Sequence, residues 1–291
     1  MPAYICSSLP DPPQPASLDA DMSWEKYLST VALNPSLIKS GMKSMKQLKW
    51  NRDNPQPSKD AFVFGHCVHT VVFENHELDN RFIVYDGRRD KRMPAYQDVL
   101  ALAEGTDREI IKSSELKAAV DMGVAVATDP LVKPIIASGK AEVSLFSEEH
   151  GVKVKGRLDW VCSQPGFADL KTCRDIRPFA FGSDFYGYGY QISLGLYQRW
   201  LSRIRGQEEP CSVIAVEKQA PYDVIVYDIP QAVLDRGAEQ GLAIIQRYIE
   251  CEKSGEWPGV ADGRPGEFHV PYRVMEELDE PSDMELPGDN S

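Results

Sequence analysis

Residues 152–162 read VKVKGRLDWVC, and residues 167–172 read FADLKT. In the first stretch apolar residues alternate with charged ones, and a period of two is typical of a β-strand with one buried face. The second stretch is a short, largely apolar run, which is also typical of a strand. The dipeptide Pro165-Gly166 marks a turn between them. Together the two stretches predict a β-hairpin around which the fold is organised.

The residue pattern places further strands and helices on both sides of this hairpin. Strands are predicted at residues 81–85, 142–146, 211–218 and 222–229. Helices are predicted at residues 34–50, 60–74, 106–128, 131–138, 188–205 and 230–255. This order predicts one α/β domain, in which a central mixed β-sheet is flanked by helices and carries a helical N-terminal addition.

Length and charge divide the sequence into a domain and two acidic ends. The 291 residues suffice for one large domain or two small ones. The net charge is −12, but residues 1–23 and 276–291 together hold ten acidic residues and no Lys or Arg. We therefore predict a disordered or loosely packed segment at residues 1–23, a single domain at residues 24–274 and an acidic tail at residues 275–291.

Cysteine spacing and apolar runs favour a reduced, cytoplasmic protein. None of the six cysteines forms a C-x-x-C pair, which argues against a zinc ribbon and for packed thiols. No apolar run approaches the ~18 residues of a membrane span, and residues 1–23 lack the basic start of a secretory signal. We therefore expect no membrane partner.

The hairpin carries the residues with the clearest chemistry. Asp169 and Lys171 share one face of their strand, and Asp159 lies one hairpin away. Converging carboxylates bind Mg²⁺ or Mn²⁺ through hard oxygen ligands, and a neighbouring lysine can hold or deprotonate an attacking water. A strict two-residue turn would pair Asp159 with Thr172 and point it away from Asp169. The hypothesis therefore requires a bulge or a longer loop.

Five segments of the sequence resemble the motifs of the PD-(D/E)xK nuclease superfamily, in order and in spacing over about residues 24–260. Two of them, Gly156–Asp159 and Asp169–Thr172, resemble its second and third motifs. The other three are Gly65–His69, similar to the G-x-x-x-H of its RecB-like and RecE-like branches, Ala141–Leu145, similar to its acidic strand, and Tyr188–Gln191 with Tyr197, similar to its Q-x-x-x-x-x-Y helix. The set as a whole resembles the RecE-like (exodeoxyribonuclease VIII-type) phage exonucleases.

The resemblance implies a restriction-endonuclease-like core and a role for each motif residue. His69, Asp159 and Asp169 would be the metal ligands, with Mg²⁺ as the cofactor and Mn²⁺ as a substitute. Lys171 would activate the attacking water or stabilise charge. Glu142 is a further catalytic candidate, as a ligand to a second metal or through water.

The same resemblance gives roles to Gln191 and Tyr197, whereas the interpretation of His66 rests on its spacing from His69. Gln191 would support the site or touch the DNA backbone, and Tyr197 would pack beneath it. His66 stands at a position that the family pattern leaves free. It either faces the site from the same side of the helix as His69 or has a purely structural role.

DNA would reach the site along basic residues despite the negative net charge. Lys153, Lys155 and Arg157 alternate onto the strand face that ends at Asp159, and Arg174 follows Lys171. Phosphate contacts of this kind give affinity without sequence preference. The alternative is a strand face exposed to solvent. The basic loop at residues 88–92 either contacts DNA or is a solvated turn. The aromatic residues between 179 and 190 either contact DNA or pack in the core.

The resemblance implies a Mg²⁺-dependent exonuclease that hydrolyses linear double-stranded DNA, 5′→3′, in phage-type recombination. It also implies a phage or prophage gene acting in the bacterial cytoplasm, a homo-oligomer, by resemblance a tetramer, and a RecT-type single-strand annealing partner. Two alternatives remain open. One is a RecB-like endonuclease or nuclease module with the same site. The other is a non-catalytic DNA-binding protein that has kept a nuclease fold.

Overall fold

The computed structural model describes residues 16–55, 60–106, 108–261, 263 and 266. Within them the strands, in chain order, are β1 (Ser17–Asp19), β2 (Phe82–Val84), β3 (Glu109–Ile111), β4 (Gly139–Glu149), β5 (Val152–Cys162), β6 (Phe167–Cys173), β7 (Cys211–Glu217) and β8 (Val224–Asp228). The helices are α1 (Trp24–Ser29), α2 (Pro35–Ser40), α3 (Met45–Asp53), α4 (Asp60–Phe73), α5 (Leu78–Arg81), α6 (Pro94–Ala103), α7 (Ser113–Thr128), α8 (Val132–Ile136), α9 (Pro178–Gly187), α10 (Tyr190–Arg205) and α11 (Gln231–Ser254). A short 3₁₀ turn covers Asn75–Glu77.

A six-stranded mixed sheet forms the centre of the fold, with the strand order β1-β4-β5-β6-β7-β8. Strands β4, β5 and β6 form an antiparallel meander, and β6 runs parallel to β7. Strands β2 and β3 pair separately and in parallel. The prediction of a mixed α/β sheet flanked by helices, and of a restriction-endonuclease-like core, is confirmed.

Two hydrophobic cores cover the two faces of the sheet. The larger core joins the sheet to α2, α3, α10 and α11, with Trp200 and Ile245 fully buried. The smaller core joins it to α4, α7 and α8 through side chains such as Val68 and Met122. No helix in the described part of the chain is both long and apolar enough to cross a membrane.

Several predicted boundaries are wrong for identifiable physical reasons. The predicted helix 34–50 is two helices, because Ser44 caps a new helix by accepting a hydrogen bond from the Gln47 amide. The start of the predicted helix 106–128 is strand β3. Helices α6 and α9, each opened by a proline, were not predicted.

The N-terminal segment also needs correction. Residues 17–19 were predicted to be disordered or loosely packed, yet they form β1 and pair with β4 at the sheet edge. The rest of that prediction, for residues 1–15, and the predicted acidic tail at 275–291 lie outside the described residues.

Lys155 fastens this N-terminal region to the sheet. Its side chain is 4% exposed, and its ammonium donates hydrogen bonds to the carbonyl oxygens of Tyr27 at 2.6 Å, Thr30 at 2.7 Å and Leu28 at 3.3 Å. These carbonyls lie at the end of α1, where few backbone amides remain to donate to them; the Tyr27 carbonyl also accepts a bond of 3.3 Å from the Thr30 amide. The prediction that Lys155 lines the route of DNA is therefore wrong, since its ammonium is buried and bound to backbone carbonyl oxygens.

We expect Lys155→Met to lower the free energy of unfolding by about 2–3 kcal/mol, because the buried carbonyl oxygens at the end of α1 lose their donor. Urea unfolding followed by circular dichroism measures this. Lys153→Met is the matched control, because Lys153 is exposed on the same strand; it should change stability by less than about 0.5 kcal/mol. Equal effects of the two substitutions would contradict the anchoring role.

Candidate functional site

Three metal-ligating side chains from three different elements meet at one end of the sheet. His69 comes from α4, Glu142 from β4 and Asp159 from β5, and one ligand atom of each lies within 4.8 Å of the others. The Nδ1 atom of His69 is 3.4 Å from Oδ2 of Asp159. All three side chains are partly buried. In the described part of the chain, no other group of His, Cys, Asp or Glu meets this distance condition.

Asp159 stands where β5 and β6 separate. The two strands pair at Trp160 with Ala168 and at Val161 with Phe167, and the pairing goes no further toward Asp159. This register corresponds to a longer loop than a two-residue turn. Asp159 Oδ2 instead accepts a hydrogen bond of 2.8 Å from the Leu170 amide. A side-chain carboxylate thereby takes the place of a strand carbonyl, which fixes the position of Asp159.

Glu142 is aimed at the site by a local distortion of β4. Its φ is +50°, a left-handed conformation that is uncommon for a residue with a side chain and frequent at functional sites. The pairing of β4 with β5 skips Glu142 and resumes at Val143. Nε of Arg157 then donates to Oε2 of Glu142 at 2.8 Å.

Arg157 is itself held by the N-terminal region. Its guanidinium donates to the Ser144 hydroxyl at 2.9 Å and to the Met22 carbonyl at 3.1 Å, and it lies 5.5 Å from the ring centroid of Trp24. Arg157 was predicted to bind DNA. In the structure the guanidinium of Arg157 positions Glu142. Arg157 does, however, line the cavity together with the candidate ligands His69, Glu142 and Asp159.

Asp169 and Lys171 form a close ion pair beside the three-residue group. Burial by itself lowers the pKa of Lys171, but the carboxylates of Asp169 and Asp159 outweigh it and raise the pKa above its ordinary value. Lys171 is therefore an ammonium at neutral pH. This state suits the stabilisation of charge and not the removal of a proton from water. Of the two roles that the sequence left open for Lys171, it favours charge stabilisation over activation of the attacking water.

The two carboxylates of the group, Glu142 and Asp159, have too little positive charge around them to favour their ionised forms. Burial, then repulsion by Asp169, raises the pKa of Asp159 to about 7. Burial and Asp159 raise the pKa of Glu142 as well. Burial lowers the pKa of His69 to about 4, so its imidazole is neutral, which is the form that binds metals.

This group fits a divalent metal by its donor chemistry. Among the described residues, His69 Nε2, Glu142 Oε1 and Asp159 Oδ1 have no hydrogen-bond partner, so each side chain keeps an atom for coordination. One imidazole and two carboxylates are suitable ligands for Mg²⁺ or Mn²⁺. The predicted ligands were His69, Asp159 and Asp169. The structure brings Glu142 into the closest group, and Asp169 faces Lys171.

The group opens into a cavity of about 290 Å³. Its other walls are Trp24, His66, Thr70, Arg81, Phe82, Glu109 and Arg157. His66 lies on the same side of α4 as the site, but its Nδ1 is 3.0 Å from Oε2 of Glu109. This ion pair gives His66 a role in the cavity wall, and it does not join the three ligands.

Gln191 and Tyr197 lie behind the site. Gln191 is buried and its amide donates to Gln240 Oε1 at 3.2 Å, linking α10 to α11. Tyr197 packs against Gly156, where an added Cβ would lie 2.5 Å from the Tyr197 ring. This burial favours the supporting role for Gln191 over contact with the DNA backbone.

The remaining predicted DNA contacts are on the surface. Lys153 and Arg174 are exposed, and their role stays a prediction; Lys153 stands across from Glu148 and about 20 Å along β5 from Asp159. In the basic loop Arg92 is paired with Asp90 at 2.8 Å, which favours the solvated turn.

The sequence did not predict that Tyr190 and Lys39 lie next to Lys171. The Lys171 ammonium is 5.1 Å from the ring centroid of Tyr190, and the Lys39 ammonium is 5.3 Å from the same centroid. Tyr190 was named as a motif neighbour of Gln191 and as one of the aromatic residues that either contact DNA or pack in the core, but it was not linked to Lys171. Nothing in the local sequence marks Lys39, because α2 reaches the site only through the tertiary fold.

The raised pKa of Asp159 predicts how stability depends on pH in the metal-free protein. The carboxyl has a pKa of about 7 when folded and about 4 when unfolded. Between these values the folded state binds more protons, so the free energy of unfolding falls as the pH rises. Asp159→Asn should therefore melt at a higher temperature than the unsubstituted protein at pH 8 in EDTA, with the difference shrinking toward pH 4.

Thermal unfolding from pH 4.5 to pH 8 checks this expectation. Asp98→Asn is the control, because Asp98 is exposed on α6 and should leave the pH dependence unchanged. A melting temperature of Asp159→Asn below that of the unsubstituted protein at pH 8 would show that the carboxylate is not electrostatically strained.

Comparison with solved structures identifies the same architecture elsewhere. A crystal structure of a protein from Eubacterium rectale, described as a "putative exonuclease", superimposes with a TM-score of 0.61. It is 14% identical, and the match covers 89% of this chain and 98% of that one. SSO0001, also 14% identical, covers 78% of this chain and 86% of its own, but its TM-score of 0.34 is too low to support an argument. No curated protein matches the chain.

The family comparison covers most of the chain. Residues 34–263 match the model of the PDDEXK-like domain of unknown function (DUF3799). The matched range includes α4, strands β4 to β6 and α10, which carry the candidate ligands His69, Glu142 and Asp159 together with Asp169, Lys171, Gln191 and Tyr197. The chain therefore belongs to the DUF3799 family of PDDEXK-like domains, within the PD-(D/E)xK nuclease superfamily.

Proposed function

We propose that this protein is a metal-dependent DNA exonuclease that hydrolyses phosphodiester bonds at the ends of linear double-stranded DNA. The observation that carries the proposal is the group of His69, Glu142 and Asp159 next to the protonated Lys171. Membership of the PD-(D/E)xK superfamily supports phosphodiester hydrolysis. The fold shared with a protein described as an exonuclease favours attack at DNA ends over internal cleavage.

The side chains have distinct tasks in this reaction. His69, Glu142 and Asp159 would hold the metal, Mg²⁺ by the hardness of the carboxylate oxygens. Bound there, the metal supplies charge stabilisation at the phosphoryl oxygens and a lowered pKa for the attacking water. Arg157 keeps the Glu142 carboxylate in place, and the Leu170 amide does the same for Asp159.

Lys171 stabilises the negative charge that develops on the phosphate. Its ammonium is kept protonated by Asp169, so it acts as a fixed cation in a partly buried site, where electrostatic stabilisation is strongest. Asp169 is then a positioning residue for Lys171. Whether it also reaches the metal is decided by the binding measurements below.

Finer features of the proposal come from the resemblance to RecE-like exonucleases. They are 5′→3′ polarity, a role in phage-type recombination, a tetrameric assembly and a RecT-type annealing partner. The runner-up is a RecB-like endonuclease, whose site would be the same. A non-catalytic DNA-binding protein is disfavoured, because DNA binding alone has no need of two converging, partly buried carboxylates, Glu142 and Asp159, with raised pKa values beside a neutral imidazole.

Substitutions in the site should separate metal ligands from the cation. Asp159→Asn, Glu142→Gln and His69→Ala should each slow Mg²⁺-dependent DNA cleavage by about 100-fold or more and weaken Mn²⁺ binding, since loss of a ligand costs more than loss of its supporting group. Lys171→Met should slow cleavage without weakening Mn²⁺ binding, because it removes a positive charge and no ligand. Asp169→Asn tests whether this carboxylate is a ligand too.

Single-turnover cleavage and isothermal titration calorimetry with Mn²⁺ provide these measurements. Glu148→Gln is the matched control, a carboxylate on β4 that lies away from the cavity. It should cleave DNA and bind Mn²⁺ normally. Normal cleavage by Glu142→Gln or Asp159→Asn would refute the assignment of the metal site.

The choice between exonuclease and endonuclease follows from the form of the DNA. With Mg²⁺, we expect linear duplex to be degraded to nucleotides or short oligonucleotides, and covalently closed circular duplex of the same sequence to survive. Labelling one 5′ end or one 3′ end shows which strand end is attacked. Nicking or linearisation of the closed circle would favour the RecB-like endonuclease.

A further inference from the structure

A row of tyrosine rings, two of them exposed and the third partly buried, leads away from the Lys171 ammonium. We call Tyr186, Tyr188 and Tyr190 the aromatic ledge. Tyr188 and Tyr190 have ring centroids 5.6 Å apart, and Lys171 Nζ lies 5.1 Å from the Tyr190 centroid. Tyr188 is 62% exposed and Tyr186 is 54% exposed. The buried ring of Phe185 contacts both Tyr186 and Tyr190 from below, so the ledge has a rigid base.

Lys39 places a second ammonium at the same ledge. Its Nζ lies 5.3 Å from the Tyr190 centroid, so the Tyr190 ring stands close to two cations. The stem of Lys39 and the side chain of Met42 pack on Gly189, where an added Cβ would come within 3.1 Å of Lys39 and 2.6 Å of Met42. Gly189 is the residue just before α10 and has a φ of +67°. Because it has no side chain, α2 can pack closely against it.

The Lys39 ammonium has no ion pair or hydrogen bond among the residues that the structure describes. Burial, and then the charge of Lys171, lowers the pKa of Lys39 to about 8. The ammonium groups of Lys39 and Lys171 both lie within 5.3 Å of the Tyr190 ring centroid, so two positive charges at the ledge suit the binding of an anion. Phosphate groups are the anions that the proposed reaction brings.

We propose that the aromatic ledge binds unpaired nucleotides of the strand under attack, with bases stacked on Tyr188 and Tyr190 and phosphates near Lys39 and Lys171. This inference rests on the proposed nuclease function and names the form of its substrate. Every base has a π-face, so stacking on tyrosine tolerates any sequence. Phosphate contacts to lysine are equally independent of sequence.

The combination of exposed rings and cations selects an unpaired strand over a duplex. Bases inside a duplex are stacked on each other and cannot offer their faces to a protein ring, whereas a separated strand can. A protein partner on the ledge would cover the Lys171 side of the metal site. We infer that the terminal base pairs are opened before the phosphodiester is hydrolysed, and that DNA with a short unpaired end is preferred to a blunt duplex.

The test compares the binding of a fluorescein-labelled single strand of mixed sequence with that of a blunt duplex, in EDTA so that no cleavage occurs. Tyr188→Ala should weaken binding of the single strand about ten-fold and leave blunt-duplex binding unchanged, with the same salt dependence as before. Tyr188→Phe keeps the ring and should bind normally. Lys39→Met should reduce by about one the number of ions released on DNA binding, so the affinity for DNA should fall less steeply with salt concentration.

Trp50→Ala is the matched control, an exposed aromatic residue on α3 that lies outside the ledge, and it should bind both forms of DNA as the unsubstituted protein does. Single-strand binding by Tyr188→Ala equal to that of this control would overturn the inference. Because Tyr188 is exposed, the Tyr188→Ala protein should unfold at the same temperature as this control. That measurement separates loss of stacking from loss of the fold.

Cleavage measurements keep this inference distinct from the proposed function. With Mg²⁺, the unsubstituted protein should cleave a duplex with a short unpaired end faster than a blunt duplex, and Tyr188→Ala should lose that preference. Failure to cleave any DNA would overturn the nuclease proposal, even if the ledge binds single strands. Normal cleavage with no preference for unpaired ends would overturn the ledge and leave the nuclease proposal standing.

Discussion

The separation of β5 and β6 at Asp159 is the constraint on which the site depends. A continued ladder would pair backbone with backbone and leave no room between the strands. Here the Leu170 amide donates to the Asp159 carboxylate, so the sheet opens without leaving that buried amide unsatisfied, which would be costly. The opening admits His69 from α4 on one side and leaves Asp169 and Lys171 on the other. The interruption of the pairing between β5 and β6 thus creates the space in which the candidate ligands and Lys171 meet.

The electrostatics of the site follow from the same crowding. Three carboxylates, Glu142, Asp159 and Asp169, converge in a partly buried region, where burial and then the charge of Asp169 raise the pKa of Asp159 to about 7. Lys171 offsets one of these charges, and its pKa rises in turn. A site with this imbalance is preorganised for a divalent cation. For the same reason Lys171 would act in the proposed reaction as a fixed charge and not as a base.

The sequence predicted the strands of this site well because their pattern is local. Strand β5 has the bounds that alternation predicts, and the motif residues Asp159, Asp169 and Lys171 fall where the hairpin requires them. The position of Glu142 was harder to predict, since it depends on a left-handed backbone that no residue type announces. Lys155 was misplaced for a related reason. A strand pattern shows that two residues share a face, but it does not show that α1 covers part of that face.

The N-terminal region connects these observations, because it reaches both sides of the site. On one side the Met22 carbonyl and the Trp24 ring hold Arg157, which holds Glu142. On the other side α2 presents Lys39 beside Tyr190. Lys155 secures the end of α1 between them. Residues 16–33 precede the range matched by the family model. They nevertheless contact Arg157, which in the described structure is the only ion-pair partner of the candidate metal ligand Glu142. The N-terminal addition is therefore part of the site and not an appendage to it.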